Sequence, residues 1–191
     1  MKLVKMEKVR QGRYLKNYEL TYLNKAGKEK VFEIVSYKDM TDKDQLGEKV
    51  SGISIAARAG DKLLLLREFR MGVNRYVYNL CAGMMEKGET LEDCVKRELY
   101  EETGLKLKRI EKIFPPAYAA VSLSDIKNQI VFIEAEESDD ITDINTSDNE
   151  DIRARFYSVS ELEKLLETAE FTSRCQIVVY LFLERYRTNL K

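Results

Sequence analysis

Glu98, Glu101 and Glu102 are spaced three and four residues apart on one predicted helix. That spacing puts all three carboxylates on one side of the helix, one turn deep. Like charges so placed repel each other unless a multivalent cation neutralises them. Magnesium and manganese favour carboxylate oxygen and water, and such ions serve reactions at phosphorus. Arg97 adjoins the group and can hold it by bidentate hydrogen bonds. Glu89 precedes it, and Gly83 and Gly104 can mark the ends of the segment. A glutamate triplet taken alone has a plainer alternative, a solvated acidic helix face.

The full run narrows the choice. Gly83 is followed by Glu89 and then by Arg97-Glu98-Leu99-Tyr100-Glu101-Glu102-Thr103-Gly104-Leu105. At average residue usage a chance match has odds on the order of one in ten million. The run resembles the box of the Nudix hydrolase family, G-x5-E-x7-R-E-U-x-E-E-x-G-U with U apolar, with every position filled. The resemblance implies a mixed-sheet α-β-α sandwich that hydrolyses nucleoside diphosphate derivatives with Mg2+ or Mn2+. It implies that Glu98, Glu101 and Glu102 hold metal, together with the backbone carbonyl of Ala82. Glu101 and Glu102 then serve catalysis, Arg97 organises the acids, and Glu89 is a nearby or indirect metal contact. Gly83 frames the substrate loop, where the backbone must bend sharply.

Residues before the box add detail. Leu65-Leu66-Arg67-Glu68-Phe69-Arg70, followed by Asn79-Leu80-Cys81-Ala82-Gly83, is similar to the ADP-ribose pyrophosphatase group. That group has Gln-aromatic-Arg and then Glu-Leu-Pro-Ala-Gly, so Glu68, Asn79 and Cys81 are departures. The likeness implies that Arg70 grips a phosphate, with Arg67 a further candidate; an arginine ending a buried strand can also simply meet solvent. It implies an N-terminal part swapped onto a partner subunit, hence a homodimer. A late-loop glutamate often acts as base or extra metal contact, and Glu150 is the best-positioned match. Phe32, Tyr22 and Tyr118 offer ring faces to a purine, with core or surface packing as the alternative. Asp125 is a turn residue or a contact to ribose or phosphate. ADP-ribose or an ADP-sugar leads as substrate. Alternatives are a dinucleoside polyphosphate, coenzyme A, a damaged nucleoside triphosphate, or binding of a nucleotide sugar without cleavage.

Composition removes other chemistries. No histidine is present, which excludes Ser-His and Cys-His catalysis and histidine-ligated zinc. Net charge is −1, from 32 basic and 33 acidic residues, so no bulk basic field attracts nucleic acid. No apolar run suits a bilayer span, and Met1-Lys2-Leu3-Val4-Lys5 has no apolar stretch after it such as a secretory leader needs. Cys81, Cys94 and Cys175 are widely spaced, as reduced thiols of a cytoplasmic protein would be.

The elements that must position these residues follow from pattern. The basic start, residues 1–16, reads as an irregular or strand-like arm. Alternating Tyr18 to Leu23, a turn at Asn24–Gly27 and a return strand at Lys30–Tyr37 make a hairpin. Residues 1–45 form an N-terminal arm and hairpin, and 46–191 the hydrolase domain. Strands are expected at 51–58, 62–70, 106–114, 127–135 and 153–157, the second buried on both faces. Residues 41–49 read as loop, and 75–81 as extended chain leading into the box. Thr90 caps the box helix and Gly104 ends it. Ser158 and Glu161 cap a helix over 159–168. A last amphipathic helix spans 173–186, with Ile177, Val178, Leu181 and Phe182 on one side. Residues 134–151 are rich in acids and hold neither Lys nor Arg.

Overall fold

The computed structural model describes residues 1–136, 138, 141 and 151–189. Its strands are β1 (Lys2–Gln11), β2 (Lys16–Leu23), β3 (Glu29–Ser36), β4 (Val50–Ala59), β5 (Lys62–Arg70), β6 (Arg75–Asn79), β7 (Cys81–Met84), β8 (Leu107–Ile113), β9 (Ala117–Tyr118), β10 (Lys127–Ala135) and β11 (Ile152–Tyr157). Its α-helices are α1 (Leu91–Thr103), α2 (Val159–Thr168) and α3 (Ser173–Asn189). They make two compact units: Met1–Ser51 with Pro116–Gln129, and Gly52–Pro115 with Ile130–Lys191.

In the first unit β1, β2 and β3 form an antiparallel sheet in that order. The expected hairpin is therefore β2–β3, and the basic arm adds β1 as a third strand. Gly27 turns the β2–β3 chain at φ 73°, while the Asn24 side chain accepts from the amides of Ala26 and Lys28. Alternate residues Tyr18, Leu20 and Ile34 form a small core with Met40. The Tyr18 hydroxyl donates to the Lys38 carbonyl and accepts from the Met40 amide, so this buried phenol is satisfied. Residues 116–129 join the unit through the Val35 amide, which donates to the Leu123 carbonyl at 2.9 Å.

The second unit is a sheet with helices on both faces. Its strand order is β11-β5-β4-β10-β8, with β6 paired to β5 and β7 to β4. Strand β5 explains the layering. Leu64 and Leu66 pack with Ile53, Ile55, Val95 and Leu99, on the α1 side. Leu63 and Leu65 pack with Leu162, Val178, Val179 and Leu183, on the α2 and α3 side. A continuous apolar run is what a strand covered on both faces requires.

Helix α1 has its expected ends. The Thr90 side chain accepts from the Asp93 amide at 3.2 Å, and Gly104 sits in the left-handed region at φ 69°. Helix α3 divides the expected apolar side: Val178 and Phe182 pack on the core. Ile177 and Leu181 are 60% and 49% exposed, whereas Cys175, Val178, Val179 and Leu183 are buried. Apolar residues ring most of this helix, so spacing alone leaves its rotation open, and the β5 leucines select the 175/178/179/183 stripe.

Candidate active site

Val95 and Leu99 fix the rotation of α1, since both are fully buried against the sheet. Glu98, Glu101 and Glu102 then fall on the flank of the helix, beside β7. Their environments differ: Glu98 is buried, Glu102 partly buried and Glu101 exposed. The Ala82 amide of β7 donates to Glu102 Oε2 at 3.1 Å. Gly83 follows, and a Cβ there would lie 1.7 Å from the Glu98 carboxylate. The glycine thus leaves the space that the acid fills.

Arg97 ties the acids together. Its Nε donates to Glu89 Oε1 at 2.8 Å and its Nη2 to Glu89 Oε2 at 3.0 Å. Its Nη1 donates to Glu98 at 2.8 Å and to Glu101 at 3.1 Å, and Nη2 also reaches the Met84 carbonyl. This is the planar guanidinium fork used over its whole width.

One guanidinium faces four carboxylates, and the proton affinities record the imbalance. Glu89, gripped by the fork and by the Glu86 amide, is held down to about 2. Burial raises Glu98 above the usual carboxylate range, against the pull of Arg97. Burial pushes Glu102 up to about 8, although the Cys81 thiol and the Ala82 amide donate to it. The Glu98 and Glu68 charges push in the same direction. Acids buried beyond their supply of positive charge, all with hard oxygen donors, suit a divalent cation. Among the described residues no three such side chains already converge as a formed metal cluster. Arg97 occupies Glu98 and Glu101 instead. The donor chemistry and the Gly83 cradle fit a cation that Glu98, Glu101, Glu102 and the Ala82 carbonyl would hold.

The departures Glu68 and Asn79 prove to be partners. Glu68 is buried, and its Oε1 accepts from Asn79 Nδ2 at 2.6 Å and from Arg70 Nε at 2.7 Å. Asn79 Oδ1 in turn accepts from the Thr172 hydroxyl at 2.7 Å. Sequence reading named each departure separately and missed the link, which depends on the β5–β6 register. Arg67 turns to another environment: its guanidinium stacks over the Tyr76 ring, 4.0 Å from the centroid.

Other named residues lie elsewhere. Phe32, 38% exposed, lines a cavity of about 230 Å3 in the first unit with Tyr22, Tyr118 and Asp125. Asp125 is buried and accepts from the Gly47 amide and from Lys38. Glu150 lies outside the described residues. Its neighbour Asp151 accepts from the Phe69 amide through its carbonyl, at 2.9 Å, and from the Tyr76 hydroxyl through its carboxylate.

Known proteins resemble this chain in sequence and fold. A family model described as NUDIX domain matches residues 48–178. ADP-sugar pyrophosphatase of Mus musculus is 33% identical over 102 residues, which is 52% of this chain and 46% of that protein. The NAD-capped RNA hydrolase NudC of Vibrio parahaemolyticus is 45% identical over 58 residues, 30% of this chain and 22% of that protein. The chain therefore spans half or less of these relatives' lengths. A solved structure described as an ADP compounds hydrolase superposes with a TM-score of 0.75 at 17% identity, covering 98% of this chain and 94% of that one. At that identity the likeness is one of fold.

Proposed function

This chain belongs to the Nudix family, and from that premise we propose that it hydrolyses the diphosphate link of a nucleoside diphosphate derivative. ADP-ribose or an ADP-sugar is the leading substrate, giving AMP and a sugar phosphate. The carrying observation is the pair of under-compensated acids, Glu98 and Glu102, packed against the Ala82–Gly83 backbone. The name of the mouse relative and the complete box support the same class. The NudC match covers only a third of the chain, so it supports the shared chemistry and does not favour a capped RNA.

A bound Mg2+ or Mn2+ supplies electrophilic stabilisation of the phosphate oxygens and acidifies water. The rest falls to the chain. Glu98, Glu101 and Glu102 supply negative charge at fixed positions, with Arg97 orienting the first two and the Ala82 amide the third. Arg70 binds a phosphate oxygen and holds the diphosphate against the box. Water adds to one phosphorus, the bridging P–O bond breaks, and its electron pair leaves on the other phosphate. A carboxylate takes the water's proton, and we assign that role to Glu150. With no histidine in the chain, no imidazole competes for it. A homodimer with exchanged N-terminal strands, Phe32 as a base-stacking residue and Arg67 as a phosphate contact belong to the same reading. So does a cytoplasmic setting, which suits three buried free thiols. Among the described residues no helix is long and apolar enough to cross a membrane.

The test is a panel of nucleoside diphosphate compounds, incubated with Mg2+ and then with Mn2+ and resolved by chromatography. AMP and ribose 5-phosphate from ADP-ribose are expected. A folded protein that releases no nucleotide product from any panel member overturns the reading.

A further inference from the structure

Arg174 stands in the first turn of α3, in a place where positive charge is already in excess. It is partly buried, and among the described residues it makes neither an ion pair nor a hydrogen bond. The first turn of α3 contains no acid. A helix N-terminus carries partial positive charge, so a basic side chain there is opposed by its own helix. Burial, and after it the nearby Arg70 guanidinium, hold Arg174 below the ordinary arginine range. Burying a guanidinium beside another one without a counter-charge is unfavourable.

The contacts around it explain why the two arginines stay together. The Thr172 amide donates to the Tyr78 carbonyl at 3.0 Å, and the Tyr78 amide to the Glu170 carbonyl at 2.8 Å, stitching the start of α3 to β6. Thr172 then holds Asn79, Asn79 holds Glu68, and Glu68 holds Arg70 through its Nε alone. The terminal nitrogens of Arg70 are left without a protein acceptor among the described residues. Glu68 thus pairs with Arg70, and Arg174 beside it has no carboxylate of its own among the described residues. The Glu68 charge also reaches Glu102 in the box.

We propose that Arg70 and Arg174 form a two-arginine anion clamp, and that Arg174 is a phosphate-binding residue outside the family's box pattern. The inference rests on the reading of a diphosphate substrate and deepens it. Two neighbouring guanidinium groups, only one of them paired to a carboxylate, suit a diphosphate carrying more than one negative charge. The Thr172–Asn79–Glu68 chain sets the separation of the two arginines.

The experiment measures binding of inorganic pyrophosphate and of the α,β-methylene analogue of ADP-ribose by calorimetry, alongside steady-state kinetics on the best substrate. Arg174→Met keeps most of the apolar stem and removes the charge. It is expected to weaken both ligands about 10- to 100-fold and to raise KM by a similar factor, with kcat changed less than about threefold. Arg174→Lys restores part of the loss. Arg70→Met combined with Arg174→Met is expected to cost less than the product of the single effects, because both side chains hold one group. Unchanged pyrophosphate and analogue affinity in a folded Arg174→Met protein overturns the clamp. If that variant does not fold, Arg174→Gln decides: pyrophosphate and analogue affinity within twofold of the parent overturns the clamp as well. Hydrolysis with a KM insensitive to position 174 removes the clamp and leaves the proposed function standing. Arg174-dependent pyrophosphate binding in a protein that cleaves no substrate removes the function and leaves the clamp.

Discussion

The second unit holds two clusters of arginine and glutamate that use the same chemistry to opposite ends. Across β4, β8 and β10, Arg58 bonds Glu111 and Glu134, while Arg109 and Lys108 also reach those acids. Three cations face two carboxylates, and both acids are held below the usual range: Glu111 first by Arg58, Glu134 first by Lys108. Beside α1 the ratio is reversed. One Arg97 serves Glu89, Glu98 and Glu101, and among the described residues Glu102 takes an amide and a thiol. The first cluster is satisfied and has no capacity for another cation. The second is built with a deficit, and a deficit of positive charge at fixed oxygen atoms is what a catalytic metal relieves. Ion pairing alone therefore does not distinguish structure from function, whereas the local charge balance does.

The sharpest test of this contrast is to neutralise one acid on the deficient side. Glu98→Gln and Glu102→Gln are each expected to lower turnover by about a thousandfold or more while the fold is retained. Product formation and circular dichroism on the same preparation check both halves, and rates within tenfold of the parent would erase the distinction. The balanced side predicts the reverse. Arg58→Met leaves Glu111 under-paired, so a stability loss of about 1–2 kcal/mol is expected, read as a lower urea midpoint with unchanged kcat. Loss of activity without loss of stability would assign that cluster to the active site.

A third test is a slope with pH. The native Glu102 titrates near 8 against an ordinary 4.5, so between those values the folded chain binds more protons than the unfolded one. With metal chelated, the stability contribution of this group therefore falls as pH rises from 4.5 to 8. Thermal midpoints across that window should show the decline in the parent and a flatter course in Glu102→Gln. An identical slope in both would mean that the carboxyl group is not under-compensated.

Much of this was legible in the sequence because the local signals agreed with the fold. Thr90 and Gly104 bracket α1, Ser158 and Glu161 open α2, and four consecutive leucines need a strand covered on both faces. The lost parts depend on tertiary choices. The strand β1 is basic and mostly exposed, so it has no alternation to read and owes its form to pairing with β2. The rotation of α3 could not be chosen among its many apolar residues. Glu68 and Asn79 each depart from a motif, and only the hairpin register makes them a complementary exchange of charge and amide. Arg174 had no motif to announce it, because its meaning lies in the absence of a partner.

The reach of Arg97 has one last consequence. By clasping three acids through its own side chain, it acts as a resident counter-ion before any metal arrives. On the proposed metal-dependent reading, assembly of the chain and charging with metal become separable events. Withdrawing the ion should idle the molecule rather than melt it, leaving a dormant form that awaits only resupply.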